Sequence, residues 1–416
     1  PEWISNVGWE INKPTKSLLS ARYIIKKAKE IIANGINPSY LLIKEGWQHC
    51  LDDLSLASFE ADPIRFPMGI KHLVQELKKI GIEHVGFEHS LFGAKRGLST
   101  KLAQRYLFKK QDNGYYFPCQ KLGNSFEFFH DYYKSLKSQG VCFVQTFADN
   151  SSFFKVKSSQ YKQLYTAYQT ASSLFFQGVS WITPPYFKGG LSFYSYSRFA
   201  TTAAKPNCNN LFELASYIYQ TLANSLWLQH SCEFHLTATL QKQLPQSTWA
   251  LFHCLSKGSL LLSGELCKEQ KKEISKFLIS NQKPLQADFP LTITSQSLLK
   301  NEEDLTSLLI SYSQSKNSSI IALFNLHMNK RTLCEYLNLE EIPFPEKSPT
   351  YLGYSLHHGF LGKIQKKQPL KICIKPLHSD LISLIPYQQN VVIIGHFTLA
   401  LPLAYIDKIN LEDDEL

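Results

Sequence analysis

The sequence predicts an α/β chain: a (β/α)8 TIM barrel over residues 1–280, then an antiparallel β-sandwich over residues 285–416. Three observations predict it. The chain has 416 residues, too many for one ordinary domain, and a barrel of this kind takes about 250. Short apolar runs alternate with amphipathic ones as far as residue 265. Beyond residue 285 the long amphipathic runs stop and strand-like pieces follow one another directly.

Eight runs in the first part read as strands. They are 3–9, 40–43 (YLLI), 84–89 (HVGFEH), 141–147 (VCFVQTF), 178–183 (GVSWIT), 191–197 (LSFYSYS), a stretch near 227–235, and 259–263 (SLLLS). Helical patterns lie between them. After Ser20, apolar residues recur at Tyr23, Ile24, Ile25, Ala28, Ile31 and Ile32, and Asn34-Gly35 supplies a left-handed stop,. Ile70, Leu73, Val74 and Leu77 share one face of the next pattern, which Gly81 ends. LFELASYIYQTLANSLW is a third. Alternation at this spacing makes parallel βαβ units, and eight of them close a barrel. The later pieces, 291–294, 307–313, 319–327, 370–377, 380–387 and 390–406, read as the strands of a sandwich,.

Composition narrows the function. Apolar residues are 44% and charged residues 19%, which is globular rather than disordered. The formal charge is +10, which favours loose attraction to anions. The lysines, however, are scattered in short groups at 26–29, 78–79, 109–110, 268–272 and 366–367. They read as solvated helix faces, and no specific nucleic-acid partner is expected. None of the nine cysteines forms a C-x-x-C pair, so zinc spacing is absent. Cys142 and Cys373 sit in apolar strands, and an odd count of such thiols suggests a reducing compartment. With no leader ahead of Pro1, a cytoplasmic location is expected. No apolar run reaches the roughly 20 residues of a membrane helix. Phosphate loops, G-x-S-x-G and H-E-x-x-H are missing, and the pair His357-His358 has no acidic or thiol neighbour in sequence. Neither metal nor cofactor is expected.

Catalytic groups of such barrels stand at the carboxyl ends of the strands. Those positions hold Trp9-Glu10, Lys44-Glu45-Gly46-Trp47-Gln48, Glu88-His89-Ser90, Gln145-Thr146-Phe147-Ala148-Asp149 and Arg198-Phe199-Ala200-Thr201-Thr202. The indoles of Trp9 and Trp47 suit either the apolar face of a hexose or the core. Glu45 suits sugar hydroxyls or a neighbouring cation. His89 suits a ligand contact or a hydrogen-bonded spacer.

Read in order, these pieces resemble glycoside hydrolase family 36, in its raffinose synthase and seed-imbibition α-galactosidase branch. Leu42-Ile43-Lys44-Glu45-Gly46-Trp47-Gln48 is similar to the family's Leu-Ile-Ile-Asp-Asp-Gly-Trp-Gln. Phe66-Pro67-Met68-Gly69-Ile70-Lys71 follows as Phe-Pro-x-Gly-Leu-Lys does there. Glu88-His89-Ser90-Leu91-Phe92-Gly93 stands for Trp-His-Ala-Leu-x-Gly. Gly140 to Phe147 stands for Gly-Val-Asp-Phe-Val-Lys-Val-Asp. The resemblance implies a retaining mechanism with two carboxylates about 5–5.5 Å apart. It also implies that the nucleophile's slot holds Phe147 and the acid/base slot Thr201 or Thr202. The sugar-holding Lys has become Gln145, and a galactose-binding Asp has become Lys44. Glu10, Glu45, Trp9, Trp47, His89 and Arg198 remain as candidate sugar contacts. A phenyl ring forms no glycosyl ester, and a hydroxyl far from its pKa protonates no leaving group efficiently.

The expectation is therefore a divergent α-galactosidase-like protein, inactive in catalysis, that binds carbohydrate or regulates. One alternative is an active retaining hydrolase or transglycosylase of α-galactosides with relocated carboxylates, drawn from Asp149, Glu45 and Glu233. Asp149 faces the same side as Phe147 if the strand continues, but about 6–7 Å further along; its competing reading is a helix cap or loop residue. Glu233, in QHSCEFHL, falls near the family's Trp-Asp-x-Phe element or is a surface charge. A second alternative is a partner-binding scaffold with a basic surface.

Overall fold

The computed structural model describes residues 3, 6–12, 19–111, 114–118, 121–147, 158–176, 179–183, 199–201, 232–235, 260–264, 275, 278, 283–285, 287–288, 292–298, 307–314, 318–325, 331–343, 350–376 and 378–387. The chain divides into two compact units. One takes Pro1–Ala204 with Ser231–Glu233 and Leu261–Gly264; the other takes the rest.

The first unit is built on strands β1 (Val7–Ile11), β2 (Tyr40–Ile43), β3 (Gln48–Cys50), β4 (Leu56–Ala61), β5 (His84–Ser90), β6 (Phe143–Phe147), β7 (Val179–Thr183) and β8 (Phe199–Thr201). Strands β9 (Cys232–His235) and β10 (Leu260–Ser263) join the same sheet, whose order is β8-β7-β6-β5-β2-β1-β10-β9. Pairing is parallel from β1 through β2, β5, β6 and β7 to β8. A parallel run of this kind is what a (β/α)8 barrel requires of its successive strands. YLLI of β2 is buried at every position, as befits a parallel strand covered on both faces.

Helices α1 (Ala21–Ala33), α2 (Gly69–Lys79), α3 (Thr100–Arg105), α4 (Leu122–Ser138) and α5 (Ser158–Phe176) complete this unit among the described residues. The Ser20 hydroxyl accepts from Tyr23 N at 3.3 Å and caps α1,. Ile24, Ala28 and Ile31 form its buried stripe, and Gly35 at φ 82° follows its end. Ile70, Leu73, Val74 and Leu77 bury one face of α2.

The interior of the sheet is aromatic at the amino ends of its strands. Tyr40, Leu42, Phe143 and Leu261 form a buried cluster with Trp3 packed against it. The Tyr40 and Phe143 rings meet edge-on at 5.8 Å. Gly8 and Gly86 make the space: a Cβ on either would enter the ring of Tyr40 or Phe143.

Two elements differ from expectation. β3 and β4 form an antiparallel hairpin between β2 and α2 in the chain, where the sequence reading placed no strand. The strand beside β7 is β8, a segment read from sequence as following the sixth strand. The expected strands 191–197 and 390–406, and the helical pattern LFELASYIYQTLANSLW, lie outside the described residues.

The second unit contains β11 (Thr292–Ile293), helix α6 (Ser295–Leu298), β12 (Leu309–Gln314), β13 (Ser319–Phe324), β14 (Leu333–Leu337), β15 (Tyr351–Ser355), β16 (Gly359–Ile364), β17 (Leu370–Ile374) and β18 (Ser379–Pro386). A six-stranded sheet, β11-β12-β13-β18-β15-β16, and a two-stranded one, β14-β17, are both antiparallel. One apolar core takes Ile321, Leu323, Ile382 and Leu384 from the first and Leu337, Ile372 and Ile374 from the second.

Cys373 corrects the reading of buried thiols. It lies on the exposed face of β17 and forms a disulfide with Cys334 on β14. Disulfides persist in oxidising compartments, so the thiol argument for a cytoplasmic location loses its support. No helix among the described residues is long and apolar enough to cross a membrane.

Asp380 is buried at the head of β18. It accepts from the Ser355 hydroxyl at 2.7 Å, from Leu381 N at 2.8 Å and from His357 N at 3.3 Å. His357 and His358 thus sit in a turn fixed by a carboxylate, with the exposed His358 ring 4.0 Å from it.

Candidate functional site

The carboxyl ends of β1, β2, β5 and β6 bring three charges together. Lys44 follows β2 directly, and its N–H donates to Ile11 O at 3.1 Å. Register places Ile43 beside Phe87, so Lys44 is level with Glu88, and Glu88 is level with Gln145. The Lys44 ammonium lies 3.5 Å from Glu10 Oε2 and closer still to Glu88 Oε1. The other Glu88 oxygen accepts from Glu45 N at 3.1 Å. Glu10, Lys44 and Glu88 are all buried.

An isolated buried charge is costly, so these three groups are stable only as a set. Two carboxylates from different strands flank one ammonium. Glu88 is held tightly: both carboxylate oxygens accept, and its main-chain carbonyl accepts from Trp47 Nε1 at 2.8 Å.

The remaining sequence candidates separate by face, since neighbours on a strand point to opposite sides. Gln145 is buried level with Glu88, on the face of the charge cluster. Phe147 shares that face two residues on, half-buried at the end of β6 and level with Ser90. Backbone register continues from Gln145 to Trp181 and Thr201.

Other candidates are not brought to the cluster as open contacts. Trp47 is fully buried, its ring against Phe87 at 4.9 Å, and offers no exposed stacking face. Trp9 is buried on the face opposite Glu10. His89 points toward α4: Nε2 is 3.0 Å from Tyr133 Oη and Nδ1 is 2.8 Å from Ser90 O. Burial drives the His89 pKa down to about 4, against a smaller upward pull from the Ser90 carbonyl,. It is a neutral spacer between sheet and helix. Asp149, Arg198 and Thr202 lie outside the described residues, as do the side chains of Thr201 and Glu233.

Glu88 stands among the strand-end residues in the sequence, but its partner could not be named there. The signal was present. An acid inside the otherwise apolar strand HVGFEHS needs a cation, and Lys44 stands equally out of place after YLLI.

The described residues thus give a parallel sheet with polar groups at its strand carboxyl ends, and antiparallel sheets in the second unit. No protein-family model matches the sequence, and no curated protein matches it. Solved structures do. α-Galactosidase I from Mortierella vinacea is 15% identical over 92% of this chain and 98% of its own, with a TM-score of 0.60. A glycoside hydrolase family 27 β-L-arabinopyranosidase from Geobacillus stearothermophilus, in complex with arabinose, is 14% identical over 92% and 98%, with a TM-score of 0.66. The α-galactosidase of Saccharomyces cerevisiae, with raffinose, is 12% identical over 92% and 98%, with a TM-score of 0.61. The chain has the fold of the α-galactosidase-like glycosidases.

Proposed function

We propose that this protein is a divergent relative of the α-galactosidases, from the raffinose synthase branch of family 36, that binds carbohydrate without cleaving it. The reading takes the parallel sheet as a closed (β/α)8 barrel and the strand ends as the ligand face. One observation carries it: Phe147 stands at the end of β6, on the face of Gln145 and Glu88, in the position the sequence resemblance gives to the nucleophile. A retaining mechanism needs a carboxylate there. Solved neighbours bound to arabinose and raffinose support a carbohydrate as the ligand class. Glu45, half-buried beside the cluster, is the group placed for a hydroxyl.

The test is turnover of nitrophenyl α-galactoside alongside calorimetric titration with galactose and raffinose. Saccharide binding with no hydrolysis above buffer is the expected result. A second reading rests on the carboxylates of Glu10 and Glu88, which both reach Lys44 and so bring two acids together from the carboxyl ends of β1 and β5. Measurable turnover removes the first reading; its loss in Glu88→Gln favours the second, and its loss in Asp149→Ala points instead to Asp149 as a relocated carboxylate. Against the second reading, both Glu88 oxygens are already engaged as acceptors, which leaves neither aimed at an anomeric carbon.

A further inference from the structure

Beside the charge cluster, a cleft of about 450 Å³ opens between the loop after β2, the β3–β4 hairpin and the loop after β5. Its size falls within the roughly 300–1,000 Å³ of small-molecule sites. Glu45 connects the two places: it lines the cleft, and its N–H donates to Glu88. Leu54 and Ile64 form the apolar wall, and they are 42% and 88% exposed. Leu54 stands at φ 65°, a region leucine rarely adopts,. Asp53 fixes that turn by accepting from Ser55 N at 2.9 Å and from the Ser55 hydroxyl at 2.6 Å.

The charges of the cleft cancel. Two carboxylates, Glu45 and Asp62, face two cations, Arg65 and Lys95. Asp62 and Arg65 already pair at 2.9 Å. Partial burial raises the Asp62 pKa, but hydrogen bonds from the Arg65 side chain and the Arg65 and Ile64 N–H groups outweigh it, so this acid stays ionised. A balanced rim gives an anion no net attraction. A neutral ligand with an apolar arm fits both wall and rim.

We infer that the cleft seats the apolar aglycone of a neutral glycoside whose sugar enters at the strand ends beside it. The inference rests on the carbohydrate reading above and narrows it to amphiphilic glycosides. The test titrates the whole chain with methyl α-galactopyranoside, octyl α-galactopyranoside and an octyl ether of tetraethylene glycol. The octyl galactoside should bind at least about tenfold more tightly than the methyl one, given the apolar surface an octyl chain buries. It should also bind more tightly than the octyl ether. Ile64→Asp, at an exposed position that the fold tolerates, should abolish the octyl advantage and leave methyl galactoside binding unchanged. The octyl galactoside should further slow alkylation of the Cys50 thiol, which lines the cleft, and the methyl galactoside should not. Equal affinity for both galactosides overturns the inference and leaves the carbohydrate reading standing. Equal affinity for octyl galactoside and octyl ether shows an apolar grip with no sugar site and overturns both, as does binding of neither galactoside.

Discussion

The charge cluster of the first unit and the Asp380 turn of the second both bury carboxylates, by opposite means. Glu88 and Glu10 are offset by the ammonium of Lys44, carried on another strand. Among the described residues, Asp380 is offset by a hydroxyl and main-chain N–H groups, with no cation in hydrogen-bonding contact. Neutral donors belong to the local chain and arrive with the turn itself. A charge partner arrives only when separate strands are assembled, and its loss strands the acids it served. The turn is thus self-contained, whereas the cluster is conditional.

The largest expected effect breaks the conditional side. Lys44→Met should destabilise the fold by about 3–5 kcal/mol, the usual cost of stranding a buried charge, as read from urea unfolding. Replacing all three groups together (Glu10→Gln, Lys44→Met, Glu88→Gln) should recover most of that loss. If the triple variant is no better than the single, the three groups do not act as a set.

Next comes His89, satisfied by neutral partners like Asp380 but able to gain a charge. Its folded pKa of about 4 lies below the usual value near 6.5,. The unfolded chain binds the extra proton first, so stability is full above about pH 6.5 and falls as pH drops towards 4. The loss attributable to this residue should be about 3 kcal/mol. His89→Phe should flatten that slope in unfolding curves collected across the range. An unchanged slope would assign the acid sensitivity to other groups.

Asp380→Asn should cost less, about 1–3 kcal/mol, because an amide nitrogen would face a donor. Its cost should be nearly independent of salt, as suits a network of neutral donors. Ser20→Ala, outside both regions, should cost about 1 kcal/mol by loss of the α1 cap, and it calibrates the scale of a purely local bond. Matching salt responses for Lys44→Met and Asp380→Asn would erase the contrast between the two regions.

The fold was legible where one-dimensional pattern suffices. YLLI, HVGFEHS and VCFVQTF announce parallel strands because burial on both faces demands unbroken apolar runs. The stripe from Ile70 to Leu77 announces α2 for the same kind of reason. The β3–β4 hairpin escaped notice because its strands are short and only half-buried, so no strict alternation marks them. The candidate site was readable as a set of strand ends but not as contacts. Lys44 and Glu88 are far apart in sequence and meet only through the parallel register. Trp9 and Trp47 stayed open between platform and core because sequence does not reveal which side chains are covered. Nor does any spacing motif foretell the bond between Cys334 and Cys373, which depends on β14 and β17 being neighbours.

The rings seated over Gly8 and Gly86 decide what those two positions tolerate. Tyr40 and Phe143 already occupy the volume a methyl group would need, so alanine at either glycine would evict an aromatic ring from the cluster it shares with Leu42, Leu261 and Trp3.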